Sequence, residues 1–283
     1  MGPVAIVTDS ASDLAADVAA RRGIRVVPLY VRFGDQEFRA GVDLSTDEFW
    51  ARMLAPDAPF PTTAAASPGD FQAAFEAEFA AGADAIVCVT VGGKLSATLT
   101  SAELGAQGLS GREIHLVDSD SASMGVGLLA LVAAELAAAG VPAAEIAARV
   151  RARIADIDLY VAIDTLAYLR KGGRMSAART AIGTVLSVKP IITVVDGLVT
   201  MAEKPRTRAK ARKRVVELLT TRPVERIAFL HTHAPDLDAF RVQVLARLPG
   251  GVDAARVSTE VIGPSVGPHL GPGCVGAAVL LRR

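Results

Sequence analysis

Val4-Ala5-Ile6-Val7-Thr8-Asp9-Ser10 places four apolar residues in a row and ends in three small polar ones. An unbroken apolar run with no alternation reads as a strand covered on both faces, the habit of parallel sheets. Thr8-Asp9-Ser10 ends the strand, and Ser12 is the expected N-cap of a helix beginning near Asp13. The same unit recurs at residues 85–90 and 113–117, each an apolar strand followed by small polar residues and then a helix. Repeated strand-turn-helix units predict an α/β fold with a doubly wound parallel sheet.

Between these units, residues 26–31 read as one further strand, followed by a hairpin-like passage at Gly34-Asp35. Ser45 with Glu48 three positions on predicts a capped helix start, and another helix follows Ser67-Pro68-Gly69-Asp70. The run at residues 124–141 is Ala- and Leu-rich, contains Glu135 and is shorter than the ~20 residues of a spanning helix. It reads as a buried helix. The second half is less regular. A strand around Tyr160 leads to a short helix ending at Arg170, and Asp196-Gly197 between two apolar runs signals a two-residue hairpin. A basic helix at residues 206–219, a strand at 226–230, a helix from Asp236 and strands at 257–261 and 275–281 complete the chain. Two domains are expected: residues 1–157 as the parallel α/β unit, and 158–283 as a mixed α/β unit, with a ligand between them.

Composition narrows the function classes. The 283 residues are 51% apolar, enough for a sizeable core, and 30 basic residues balance 30 acidic ones. That balance argues against a broad nucleic-acid footprint. Cys88 and Cys274 form neither a disulfide framework nor a metal-ligand spacing, and Cys88 reads as a core residue. The opening Gly2-Pro3-Val4 shows no basic region or cleavage site, and Ile6 stands where myristoylation needs Ser or Thr. A soluble, cytoplasmic protein is expected.

Residues 262–273 carry four glycines and three prolines in twelve positions around a single imidazole, His269. Such a composition excludes a regular helix or strand interior and predicts a stiff loop that presents a polar group. Hydroxyl clusters fall at strand ends: Thr8-Asp9-Ser10, Thr90 through Ser96-Ala97-Thr98, and Asp118-Ser119. A fourth, Pro61-Thr62-Thr63, lies in a loop. Hydroxyls beside helix N-termini suit a carboxylate or phosphate, although each alone also serves as an ordinary cap. The stretch Thr165 to Ser176 is a short apolar helix broken at Gly172-Gly173, with Arg170, Lys171 and Arg174 clustered at the break. Cations there complement a helix dipole or meet an anion or acidic partner.

Taken in order, these residues resemble the DegV family of bacterial fatty-acid-binding proteins, which includes the lipid-binding subunit of fatty acid kinase. The resemblance spans essentially the whole chain. It rests on Thr8-Asp9-Ser10, Thr63 with Ser67-Pro68-Gly69, Leu95-Ser96-Ala97-Thr98 with Ser101-Ala102, and Asp118-Ser119. It continues through Leu169-Arg170-Lys171-Gly172-Gly173-Arg174, Lys189-Pro190, Arg206 and His269-Leu270-Gly271-Pro272-Gly273. It implies that Thr63 and Ser96 bind a fatty-acid carboxylate, that His269 lies beside it, and that Arg170 and Arg174 sit at the site's periphery or face a partner. The chain departs from the family at Ala64-Ala65-Ala66, where Ser-Gln-Pro is usual, at Gly92-Gly93, where two serines are usual, and at Ala97, where glycine is usual.

The resemblance implies a long-chain fatty-acid carrier, with no cofactor, no metal and no catalytic residue of its own. It would present the carboxylate to a separate ATP-dependent kinase subunit and make transient membrane contact. The alternative is a stand-alone α/β hydrolase or transferase acting on a small carboxylate or phosphate. A Ser96–His269 hydrolase pair is disfavoured for want of a Gly-x-Ser-x-Gly elbow. Neither a Walker nor a Gly-x-Gly-x-x-Gly nucleotide loop is expected, so the chain alone is not expected to bind ATP as a kinase. His231-Thr232-His233 suggests metal, but no further ligands accompany it, and structural or surface roles are expected. The basic helix from residue 206 reads as a solvated or partner-facing surface.

Overall fold

The computed structural model describes residues 2–175 and 188–283; Ser176, the end of the predicted cationic stretch, lies outside them. The chain runs β1 (Val4–Asp9), α1 (Ala16–Arg21), β2 (Ile24–Val27), β3 (Tyr30–Phe33), β4 (Gln36–Arg39), α2 (Thr46–Met53) and β5 (Thr62–Ala64). It continues with α3 (Pro68–Ala80), β6 (Ala85–Thr90), α4 (Thr98–Gln107), β7 (Glu113–Asp118), α5 (Met124–Ala138) and α6 (Ala143–Arg153). Then follow β8 (Ile157–Ala162), α7 (Ala167–Lys171), β9 (Ile191–Val195), β10 (Leu198–Glu203), α8 (Arg208–Leu219) and β11 (Val224–His231). The last elements are α9 (Leu237–Leu245), β12 (Val257–Val261), α10 (Gly267–Leu270) and β13 (Val275–Leu281).

β2, β1, β6 and β7 form a parallel sheet in that order. Its central strands β1 and β6 are largely apolar because helices cover both faces, while the edge strands carry Arg25 on β2 and Glu113 and His115 on β7. On one face Val7, Ile86 and Cys88 pack against Phe71, Phe75 and Phe79 of α3 and Ala102 of α4. On the other, Ile6, Val87 and Val89 pack against α5 and α6. The doubly wound arrangement is therefore present.

The second sheet has the order β10-β9-β8-β13-β11-β12 and is mixed: only β11 and β12 pair in parallel. Its outer face is covered by α8 and α9. Its inner face, through Leu159, Val161, Ala228 and Leu280, joins the same core as α5. Helix α5 thus lies between the two sheets, which explains why it is apolar on every side rather than amphipathic. A small antiparallel sheet, β4-β3-β5, carries Thr63 and packs on Phe49 and Trp50 of α2.

The capping box read at Ser45 and Glu48 is present, and Ser67 and Asp70 form a second one at the start of α3. Asp196 and Gly197 both take positive φ, 50° and 71°, the pair a tight hairpin turn requires. Three expectations are corrected. Ser12 does not cap an α-helix: Asp9 caps a 3-10 turn at Ser10–Ser12, and α1 begins only at Ala16. Residues 26–31 are not one strand, because Pro28 and Leu29 divide them between β2 and β3 in different sheets. Residues 262–273 do contain helix, the single turn α10, which Pro268 tolerates because it stands in the first turn, where no N–H is needed.

Candidate functional site

A cavity of about 840 Å³, open mouth included, lies beside the N-terminal end of α5 and is lined by strands of the mixed sheet and by the loops that follow the parallel strands. Its walls are mostly apolar: Leu29, Val91, Leu159, Val161, Leu230 and Ile262 among them. Four polar side chains named by the sequence reading also line it, namely Thr63, Ser96, Arg174 and His269. An apolar cleft with a few convergent polar groups is the usual form of a small-molecule site.

Thr63 Oγ1 and His269 Nε2 are 3.0 Å apart. Thr63 is held by β5, whose pairing places it opposite Val31. His269 is held by α10 and by the glycines that follow it: Gly271 and Gly273 both have φ near +75°, which side-chain-bearing residues rarely adopt. Gly267 admits the loop against α2, since a Cβ there would meet the Phe49 ring at 2.7 Å. Burial, and then the Arg174 charge, push the His269 pKa down to about 4. The ring is therefore neutral at physiological pH.

Ser96 Oγ lies 2.7 Å from Thr98 Oγ1 and accepts from the Thr98 N–H. Arg174 donates from Nε to the Leu95 carbonyl and from Nη1 to the Gly172 carbonyl. It lines the cavity itself. Arg170 does not line it and is exposed.

Most of the other hydroxyl clusters hold the scaffold together. Thr8 Oγ1 donates to the Val89 carbonyl, and Ser10 bonds Ser265. Asp118 accepts from the N–H of Gly93 and Asp120. At the Gly92-Gly93 departure, a Cβ on Gly93 would stand 2.9 Å from Asp118 Oδ2, the end of a side chain that would have to shift. Lys189 pairs with Asp164, and Arg206 is exposed. His231 ends β11, and positive φ at His233 turns its ring edge-on to Trp50 at 5.9 Å. Among the described residues no group of three or more His, Cys, Asp or Glu is placed to hold a metal ion.

Sequence reasoning missed two glycine patterns. Gly263-Pro264-Ser265-Val266-Gly267 spells Gly-x-Ser-x-Gly, but Ser265 is buried and bonds Ser10 rather than His269. Gly271-Pro272-Gly273-Cys274-Val275-Gly276 spells Gly-x-Gly-x-x-Gly, but it runs into β13 and opens no helix for a pyrophosphate. It also missed Arg212, which is buried on α8 and donates to Asp236 and to the carbonyls of Ala162 and Gly273. A buried arginine that bonds Gly273 pins the loop carrying His269. Its signal was a basic residue on the apolar face of an otherwise solvated helix. Asp13 was read only as a helix start; it is half-buried, accepts from Ser123 Oγ and the Gly263 N–H, and ties α5 to the 262–273 loop.

A family model described as "Uncharacterised protein, DegV family COG1307" matches residues 3–282. The chain belongs to the DegV family. A DegV domain-containing protein of Streptomyces coelicolor is 36% identical over 288 residues, covering 99% of each chain. One from Mycobacterium tuberculosis is 34% identical, covering 98% of this chain and 96% of the relative. Among solved structures, a fatty-acid-binding DegV-family protein of Thermus thermophilus superimposes with a TM-score of 0.88 at 33% identity, covering 99% and 100% of the two chains. DegV of Bacillus subtilis, a fatty acid binding protein, gives 0.90 at 27% identity, with both chains covered completely. In this DegV-family chain, no helix of the described residues is long and apolar enough to cross a membrane.

Proposed function

We propose that this chain binds one long-chain fatty acid, burying the acyl tail in the apolar cavity and holding the carboxylate at Thr63, Ser96 and His269. The observation that carries the reading is one continuous cavity, apolar along most of its walls, into which these three side chains converge. The fatty-acid binding of the Thermus thermophilus and Bacillus subtilis relatives supports it.

The energetics agree with a carrier. At about 0.8 kcal/mol per buried methylene, a long tail contributes roughly 10 kcal/mol before the costs of association. The carboxylate opposes burial by several kcal/mol unless hydrogen-bonded, so the hydroxyls limit a penalty rather than drive binding. The tail sets affinity and the head sets orientation.

In this reading the head group is presented for phosphorylation by a separate ATP-dependent kinase subunit. Arg170, exposed at the end of α7, is available to that partner. Native mass spectrometry of protein purified from cells tests the carrier role. A co-purifying fatty acid at one per chain is the expected result; a chain that arrives empty and takes up none on titration removes the proposal.

A further inference from the structure

Gly172 ends α7 with φ −74° and ψ −6°, an ordinary helical conformation open to any residue. Its neighbour Gly173, at φ +69°, is the one whose backbone favours glycine. Gly172 is small for a different reason. A Cβ added there would stand 2.1 Å from His269 Nδ1 and 2.9 Å from Cε1, so the backbone lies directly against the imidazole edge.

That edge is otherwise empty of partners. His269 Nδ1 is buried and has no hydrogen-bond partner among the described residues. Gly172 does not serve it: its N–H donates to the Tyr168 carbonyl, and its carbonyl accepts from Arg174 and makes no bond to Nδ1. The Gly172 Cα–H group stands against Nδ1. A lone pair tolerates that contact, whereas a buried N–H with no acceptor is among the least tolerated polar groups.

From this geometry we infer that Gly172 is a positioning residue that holds His269 in the Nε2–H tautomer, so that Nε2–H donates to Thr63 Oγ1 and the Thr63 hydroxyl is free to donate to the ligand carboxylate. The second half of this relay rests on the fatty-acid reading. It follows from the inventory of donors: a carboxylate only accepts, so Thr63 must spend its single proton on it and receive its other bond. With the opposite tautomer, Thr63 would spend that proton on the ring and face the carboxylate lone pair to lone pair. A neutral ring, pushed toward low pKa by burial, is consistent with this. The 3.0 Å bond alone leaves the tautomer open; the orphan at Nδ1 selects it.

Two measurements test it. Nitrogen-15 NMR of the imidazoles, with His269→Ala used to assign the signal, should show the His269 proton on Nε2; a proton on Nδ1 overturns the inference. Palmitate affinity should fall at least tenfold in Gly172→Ala, yet by less than twofold when Gly172→Ala is added to His269→Ala, because the glycine acts only through the ring. Equal losses in both backgrounds, or none in either, would also overturn it. If Gly172→Ala fails to fold, the tautomer of the unaltered protein decides. Failure of the unaltered protein to bind palmitate strikes the fatty-acid reading instead, and the tautomer measurement still judges Gly172.

Discussion

Thr63 and His269 are 206 positions apart in sequence and 3.0 Å apart in the fold. One comes from a three-stranded sheet near the start of the chain, the other from a helical turn near its end. Both side chains line the apolar cavity, and the proposed carboxylate site is built on their meeting.

Removing either hydroxyl at that end should weaken the head-group hold without unfolding the protein. Thr63→Val and Ser96→Ala are each expected to cost fatty-acid binding about 1–3 kcal/mol, because carboxylate acceptor capacity is left unpaired. Titration calorimetry with a long-chain acid measures this. Unchanged affinity in both variants would take these residues out of the site.

Arg170 and Arg174 should separate. Arg174 lines the cavity and Arg170 does not. Arg170→Ala is therefore expected to leave lipid affinity within about twofold, while phosphorylation by the kinase subunit supplied in trans falls through lost docking or transition-state electrostatics. Both assays must be run on the same variant. Lost binding with normal phosphorylation per bound lipid would reverse the assignment.

The β9–β10 hairpin forms part of the cavity wall through Ile192, Thr193, Val194 and Val199. It is bound to β8 only at Ile191 and Ile192, so its outer half leaves the sheet, and Val195 is 49% exposed. Its tip is tied by Lys94 Nζ, which donates to the Asp196 carbonyl at 2.7 Å. Hydrogen exchange at residues 193–199 should slow when a fatty acid binds and quicken in Lys94→Ala, by roughly the 1 kcal/mol of one hydrogen bond. Identical exchange in all three states would exclude the hairpin as a cover.

Burial raises the Asp13 pKa from 3.8 to about 7, against the bonds from Ser123 and Gly263 and with help from the charges of Glu260 and Asp9. Between those values the folded chain binds the extra proton, so stability from this group is gained as pH falls and lost as it rises toward 7. His269, depressed to about 4, works the other way between 4 and 6.5. Asp13→Asn leaves His269 in place, so the difference between the two proteins isolates Asp13. The unaltered protein should gain on the variant from pH 7 toward pH 4, with a slope of at most about 1.4 kcal/mol per pH unit. Denaturant unfolding across that range measures it, and a flat difference would mean that Asp13 is ionised in the fold.

Local rules sufficed for much of the structure. Unbroken apolar runs gave away the parallel strands, because a strand covered on both faces has no polar side to show. The Ser45-Glu48 spacing marked a helix start, and Asp196-Gly197 marked its turn, since those bonds close within four residues. Local rules failed at Ser12, where a 3-10 turn capped by Asp9 stands in place of the expected helix start, and at residues 26–31, where a proline moved the chain between sheets. The site itself was legible as residue types and as a family pattern, not as an arrangement. That Arg174 joins Thr63, Ser96 and His269 while Arg170 stays outside depends on which way a single turn after α7 faces. That Arg212 and Asp13 brace the His269 loop depends on contacts across 61 and 250 residues. Sequence alone determined the elements, whose hydrogen bonds and periodicities are local. Only the tertiary structure decided the site, because the bonds that assemble it, Thr63 to His269 and Arg174 to Leu95, join segments 206 and 79 residues apart.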